Sequence, residues 1–307
     1  MAIPSPQAPA AVVMVRPHHF TVNTQTAADN AFQHEVSQNA GHAARAYDEI
    51  SRAAEMLREL GVGVHLFEDA GTETPDAVFP NNWFSTHAGG HIAIYPMKAP
   101  NRRKERRADI IEMLKRQYRV QDVIDYSGLE PDGLFLEGTG SMVLDHIDRV
   151  AYAVRSDRTN PVALERFCTH FNFEPIVFPA EDAKGVPVYH TNVLMCVATD
   201  FAMIGTDLMV GPEGWQKVVR RLEQSGRDVI ALDGGQIAHF AGNAIELQGR
   251  DGRILALSRT AHAALTAEQI ARIEASVKIA ALDIPTIEMA GGSVRCTLAG
   301  IHLAPRD

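Results

Sequence analysis

One pattern of polar and apolar positions recurs along the chain: a polar or Gly-rich loop, a short apolar run, a turn, and a second apolar run. Five stretches carry it: DAVFPNNWFSTHAGGHIAIYP, GLFLEGTGSMVLDHIDRVAYAV, VPVYHTNVLMCVATDFAMIG, IAHFAGNAIELQGRDGRILALS and GGSVRCTLAGIHLAP. In the first four a segment with apolar residues at helical spacing follows, as in PVALERFCTHFN or LTAEQIARIEASVK. A short strand rich in β-branched residues comes next, as in FEPIVFPA or DIPTIEM. The fifth stretch stops after its first strand, and the missing pieces stand at the other end of the chain, in AVVMVRP, AARAYDEISRAAEMLREL and VGVHLFE.

The spacing predicts five ββαβ units in an α/β chain that closes into a ring, because one such unit cannot bury its apolar faces alone. A single domain over residues 11–307 is expected, preceded by a loose tail at 1–10 rich in Ala and Pro. The residue at the start of each inner strand is Asn82, Glu137, His190, Asn243 and Cys296 in turn, 55 residues apart at the first step (82 to 137) and 53 at each of the other three. In a ring these five positions meet on the axis.

Composition narrows the function. A net charge of -9 argues against a nucleic-acid partner, which would want a basic stripe. No apolar run is long enough for a membrane span, and MAIPSPQAPAAVVMV lacks the basic start of an export signal, so a cytoplasmic protein is expected. Three cysteines, Cys168, Cys196 and Cys296, do not make a disulfide framework. Cys168 falls on a helical pattern and Cys196 within an apolar strand, so both read as packing.

Cys296 is different because of its company. A thiol becomes a nucleophile when a base takes its proton, and His190 can do that and return a proton to a leaving group. Glu137 can orient the imidazole or polarise a substrate nitrogen. No CxxC or HExxH spacing supports a metal, and EGTGSMVL runs into a strand where a phosphate cradle needs a helix; no cofactor is expected.

FPNNWF, LEGTG, YHTN and VRCTLAG, in that order, make the chain resemble the guanidine-modifying enzymes of the pentein fold, a five-bladed α/β propeller family of arginine deiminases, dimethylarginine hydrolases and amidinotransferases. The resemblance is greatest to the bacterial hydrolases of citrulline utilisation. It implies Cys296 as covalent nucleophile, His190 as general acid/base and Glu137 as the carboxylate that contacts the substrate nitrogen.

The chain departs from the family where deiminases carry acids, with Asn81 and Asn82 in FPNNWF and Asn192 in YHTN. An amide offers a donor and an acceptor to a neutral ureido group, whereas carboxylates suit a guanidinium. Citrulline, hydrolysed to ornithine, ammonia and carbon dioxide, is therefore the expected substrate, with a guanidino compound as the alternative. Asn81, Asn82, Asn192 and Asn243 are candidate substrate contacts. Arg16 and Arg295 are candidates for the substrate carboxylate, while the run NRRKERR reads as a solvated helix start. Whether water or an amine accepts the transferred group stays open, as do homo-oligomerisation and a non-catalytic reading, since a ribosome anti-association factor shares the architecture.

Overall fold

The five hairpins fold as five three-stranded sheets, each with an antiparallel inner pair and a third strand added in parallel beyond a helix. In this computed structural model, which describes residues 5–27, 30, 32–33, 41–182, 184–211 and 214–306, β1 is Ala11–Pro17 and β2 Gly63–Asp69. They are followed by β3 (Phe84–His87), β4 (His91–Ile94) and β5 (Asp122–Asp125), then β6 (Met142–Asp145), β7 (Val150–Val154) and β8 (Glu174–Phe178). The last two complete sheets are β9 (Met195–Val197), β10 (Phe201–Gly205) and β11 (Asp228–Leu232), and β12 (Ile245–Gly249), β13 (Gly252–Ser258) and β14 (Lys278–Leu282).

The chain ends close one unit, as the pattern predicts. The short β15 (Ala299–Gly300) runs antiparallel to β1, pairing Val12 with Gly300, and β1 pairs in parallel with β2 across the helix Gly41–Glu59. The crossover helices form where local chemistry favours them. Asn160 accepts the amide of Val162 at 2.9 Å with Pro161 at the first helical position, and Thr266 and Gln269 cap each other's backbone at the start of Ala267–Glu274.

A tight turn precedes each of four inner strands: Pro80–Asn82, Gly138–Ser141, Thr191–Val193 and Val294–Thr297. Neighbouring turns are laced together around the axis. Thr139 Oγ1 donates to Asn81 O at 3.2 Å, Thr191 Oγ1 to Ser141 O at 2.6 Å, and Asn243 Nδ2 to Asn192 O at 2.9 Å, while the Arg295 amide donates to Asn243 Oδ1 at 3.0 Å. These buried bonds convert sequence phase into spatial register.

The segment before β1 is not a loose tail where it is described; residues 1–4 lie outside the described residues. Gln7 is buried, and its Nε2 donates to Leu144 O and Val197 O at 2.9 Å each while its Oε1 accepts from the His146 amide at 2.8 Å. One side chain thus ties two inner strands, which a reading of Ala and Pro content does not register. Gln7→Ala is expected to lower stability by about 1 to 3 kcal/mol, because it strands buried backbone groups; an unchanged urea midpoint would refute this.

Candidate active site

Cys296, His190, Asn82 and the aromatic Phe79 line one cavity together with Asp76, Arg102 and Arg158. Glu137 lies directly behind His190, its Oε2 accepting from the imidazole Nε2 at 2.9 Å. The Glu137 Oε1 accepts the Lys98 amide at 3.0 Å. The same Oε2 stands 3.5 Å from Arg158 Nη1 and 3.6 Å from Arg102 Nη1. Burial alone would push the Glu137 carboxyl up; Arg158, the His190 bond and Arg102 together outweigh it and hold the group well below the usual carboxylate range.

His190 is pushed the other way. Burial lowers it to about 4, an effect that its bond to Glu137 only partly offsets, so the resting imidazole is neutral near pH 7. A neutral imidazole can take a thiol proton. The far ring nitrogen, Nδ1, is approached by Gly140, where a Cβ would come within 2.7 Å of it and 2.2 Å of Asn82 Nδ2. The second glycine of LEGTG is needed for that close packing.

Two amide groups aim their hydrogens at the sulphur. Asn192 Nδ2 lies 3.2 Å and Asn243 Nδ2 3.3 Å from Cys296 Sγ, where they favour negative charge as it forms. The sequence phase brought these residues together, but their donors face the thiol. Buried polar atoms without a partner among the described residues include Asn192 Oδ1, Asn82 Nδ2, Asn81 Oδ1 and Asp76 Oδ1. Asn81 is otherwise engaged with Thr139, to which its Nδ2 donates at 3.3 Å.

Both arginines expected at the substrate carboxylate lie elsewhere. Arg16 pairs with Glu68, donates to Ser51 Oγ at 3.0 Å and covers the Tyr47 ring at 4.3 Å, because Arg16 and Glu68 are register partners on parallel strands. Arg295 follows the helical turn away from its neighbour Cys296 and lines a second cavity.

The structure supplies others in their place. Arg102, from the run read as a solvated face, is buried, with Nε and Nη2 on the Glu105 carboxylate at 2.9 and 3.0 Å and Nη1 on Asn82 Oδ1 at 3.0 Å. Burial would lower its pKa, but Glu105, Asp76 and Glu137 raise it. Arg158, also buried, covers the Tyr189 ring at 4.9 Å. The Arg-x-x-Glu spacing of Arg102 and Glu105 was a signal for the first; nothing in the repeat marks Arg158 or Asp76.

The family called N,N dimethylarginine dimethylhydrolase, eukaryotic, matches residues 16–303. The chain belongs to this family. It is accordingly a cysteine-dependent hydrolase of C–N bonds in the guanidino-modifying group. No curated protein sequence matches it. Among solved structures, the N-terminal domain of ArgZ, an arginine dihydrolase from the ornithine-ammonia cycle in Cyanobacteria, superposes in its substrate-bound cysteine-to-serine form with a TM-score of 0.75 at 16% identity, over 95% of this chain and 97% of that one.

AgrE, as a cysteine-to-alanine mutant with L-arginine, gives 0.73 at 16% identity over 97% of this chain and 41% of its own. The dimethylarginine hydrolase DDAH of Pseudomonas aeruginosa, as a cysteine-to-serine mutant complexed with citrulline, gives 0.65 at 14% identity over 95% and 99%. These likenesses establish the pentein propeller, and this family member spans about two fifths of the AgrE chain. No helix among the described residues is long and apolar enough to cross a membrane.

The buried imidazoles make stability depend on pH. Burial lowers both His190 and His302 from an ordinary 6.5 to about 4. Between those values the unfolded chain binds protons that the native histidines refuse, so stability is present above about 6.5 and is lost as pH falls towards 4. Urea midpoints recorded across that window should decrease with acid; a flat profile would contradict the assignment.

Proposed function

We propose that the protein hydrolyses citrulline, or a close ureido amino acid, to ornithine, ammonia and carbon dioxide through a covalent intermediate on Cys296. The observation that carries this reading is the polarity at the reacting end of the cavity. Beside Cys296 and His190 the cavity offers the amide of Asn82, with those of Asn192 and Asn243 against the sulphur, and the carboxylate behind His190 already stands against two guanidiniums. The unpaired Asn82 Nδ2 suits a ureido carbonyl and the unpaired Asn192 Oδ1 suits its N–H groups. Arg102 and Arg158, on the same cavity, would offer charge to an α-carboxylate and the bare Asp76 Oδ1 to an α-ammonium.

In this reading His190 takes the Cys296 proton and the sulphur attacks the ureido carbon. The bond from that carbon to the chain nitrogen breaks, and the nitrogen leaves as ornithine with the proton from His190. Water, deprotonated by His190, then cleaves the carbamoyl thioester, and the carbamate released decomposes to ammonia and carbon dioxide. A guanidino substrate is the second reading, favoured by the family itself and by the arginine held in AgrE.

Incubation of the purified protein with citrulline, arginine and N,N-dimethylarginine, read as ornithine and ammonia, separates the two. Ornithine from citrulline supports the first; turnover of arginine or dimethylarginine with citrulline untouched overturns it. The double change Asn82→Asp, Asn192→Asp should lower kcat/KM for citrulline relative to arginine by about 10-fold or more, since a carboxylate cannot donate to the ureido oxygen.

A further inference from the structure

Below the ring of turns, residues one step further along the inner strands line the second cavity, of about 40 Å³, together with Gln7 and Pro9. That is room for a few waters or one small ion, and too little for an amino acid. Arg295 reaches into it. Its Nη1 donates to Leu298 O at 2.9 Å, and no carboxylate among the described residues pairs with its guanidinium. Burial pushes its pKa down, the mark of a cation that lacks a counter-charge.

Two imidazoles, which burial keeps neutral near pH 7, offer ring N–H groups beside it. His146 and His302 line the same cavity with their rings stacked at 3.9 Å, and the His146 ring has no hydrogen-bond partner among the described residues. His87 and Arg149 act on these imidazoles from further out. The opposing groups are the Cys196 thiol and Glu246, whose carboxylate is taken by Arg253 at 2.9 Å and by the Thr199 amide and hydroxyl at 2.8 and 2.6 Å.

We propose that this cavity binds a small inorganic anion, of the size and charge of chloride or hydrogencarbonate, between the Arg295 guanidinium and the His146 ring. The site is distinct from the catalytic cavity. It is linked to the nucleophile through the Arg295 amide, which donates to Asn243 Oδ1, and Asn243 Nδ2, which faces the sulphur.

Thermal melts at pH 7 in sodium chloride, sodium hydrogencarbonate and sodium gluconate at matched ionic strength test it. A saturable rise in Tm of about 2 to 4 °C is expected with chloride or hydrogencarbonate, whichever is the ligand, and none with the bulkier gluconate. The rise should vanish in Arg295→Met. Equal or non-saturating rises in all three salts, or a rise that persists in the variant and so comes from Arg102 and Arg158, overturn the proposal. Should Arg295→Met fail to fold, bromide-soaked crystals of the unaltered protein decide: an anomalous peak at the Arg295 guanidinium supports the site, and its absence there refutes it.

Discussion

Replacing Cys296 with serine is expected to cut turnover by roughly 10³-fold or more while leaving substrate affinity near that of the unaltered protein. A serine hydroxyl is far harder to ionise than a thiol, and the amide hydrogens of Asn192 and Asn243, 3.2 and 3.3 Å from the sulphur, are placed for a large anionic atom. The other two thiols are internal comparisons. Burial pushes both Cys168 and Cys196 up to about 12, so neither forms thiolate near neutrality.

Substitution of Cys168 or Cys196 by alanine should therefore leave kcat within about 3-fold, with any loss appearing in stability. Mass spectrometry of the protein quenched during turnover should find the adduct on the peptide containing Cys296. Calorimetric binding to the serine variant separates chemistry from folding. Full activity in that variant, or an adduct on a different cysteine, would remove Cys296 from the mechanism.

The second large effect belongs to Arg102. Its guanidinium holds Glu105 by two bonds and lies 3.6 Å from both Asp76 and Glu137. Arg102→Met would leave three buried carboxylates without the cation between them, at a cost of about 3 to 5 kcal/mol in stability. Burial pushes the Glu105 carboxyl up and Arg102 pulls it back down, so without the arginine Glu105 should hold a proton more firmly.

Loss of one of the two guanidiniums offered to the α-carboxylate should also raise KM by about 10-fold or more, from the loss of a charge-assisted pair. The urea midpoint and KM are read on the same preparation. A variant as stable as its parent would show that Arg102 sits in a solvated face after all. A less stable variant with unchanged KM would restrict it to a structural part.

Chain pattern carried a large share of the architecture because the repeat is local. Hairpin strands, crossover helices and their order follow from alternation and helical spacing over about 50 residues each, and the closing of β15 on β1 follows from which pieces the last unit lacks. The triad was legible for the same reason. Cys296, His190 and Glu137 share one phase, and equal phase in a ring means a shared axis.

Residues outside that phase were not legible. Arg102 reads as one of four arginines in NRRKERR, yet its short turn folds it inward where the other arginines find partners on the rim, such as Arg106 on Glu130. Arg158 and Asp76 come from connecting segments whose paths depend on the neighbouring unit. Gln7 binds two strands that lie more than 130 residues away in the chain.

The sequence by itself determined the five-fold ring, the meeting of Cys296, His190 and Glu137, and the amides of Asn82, Asn192 and Asn243 in or beside that phase, because each depends only on spacing and residue type. Tertiary structure alone decided which way those side chains face. It turned Asn243 and Asn192 towards the sulphur, set Arg102 and Arg158 at the cavity, and sent Arg16 to Glu68 and Arg295 below the axis. Direction depends on the turn of the backbone at one residue and on partners from other units, and neither is written in the spacing.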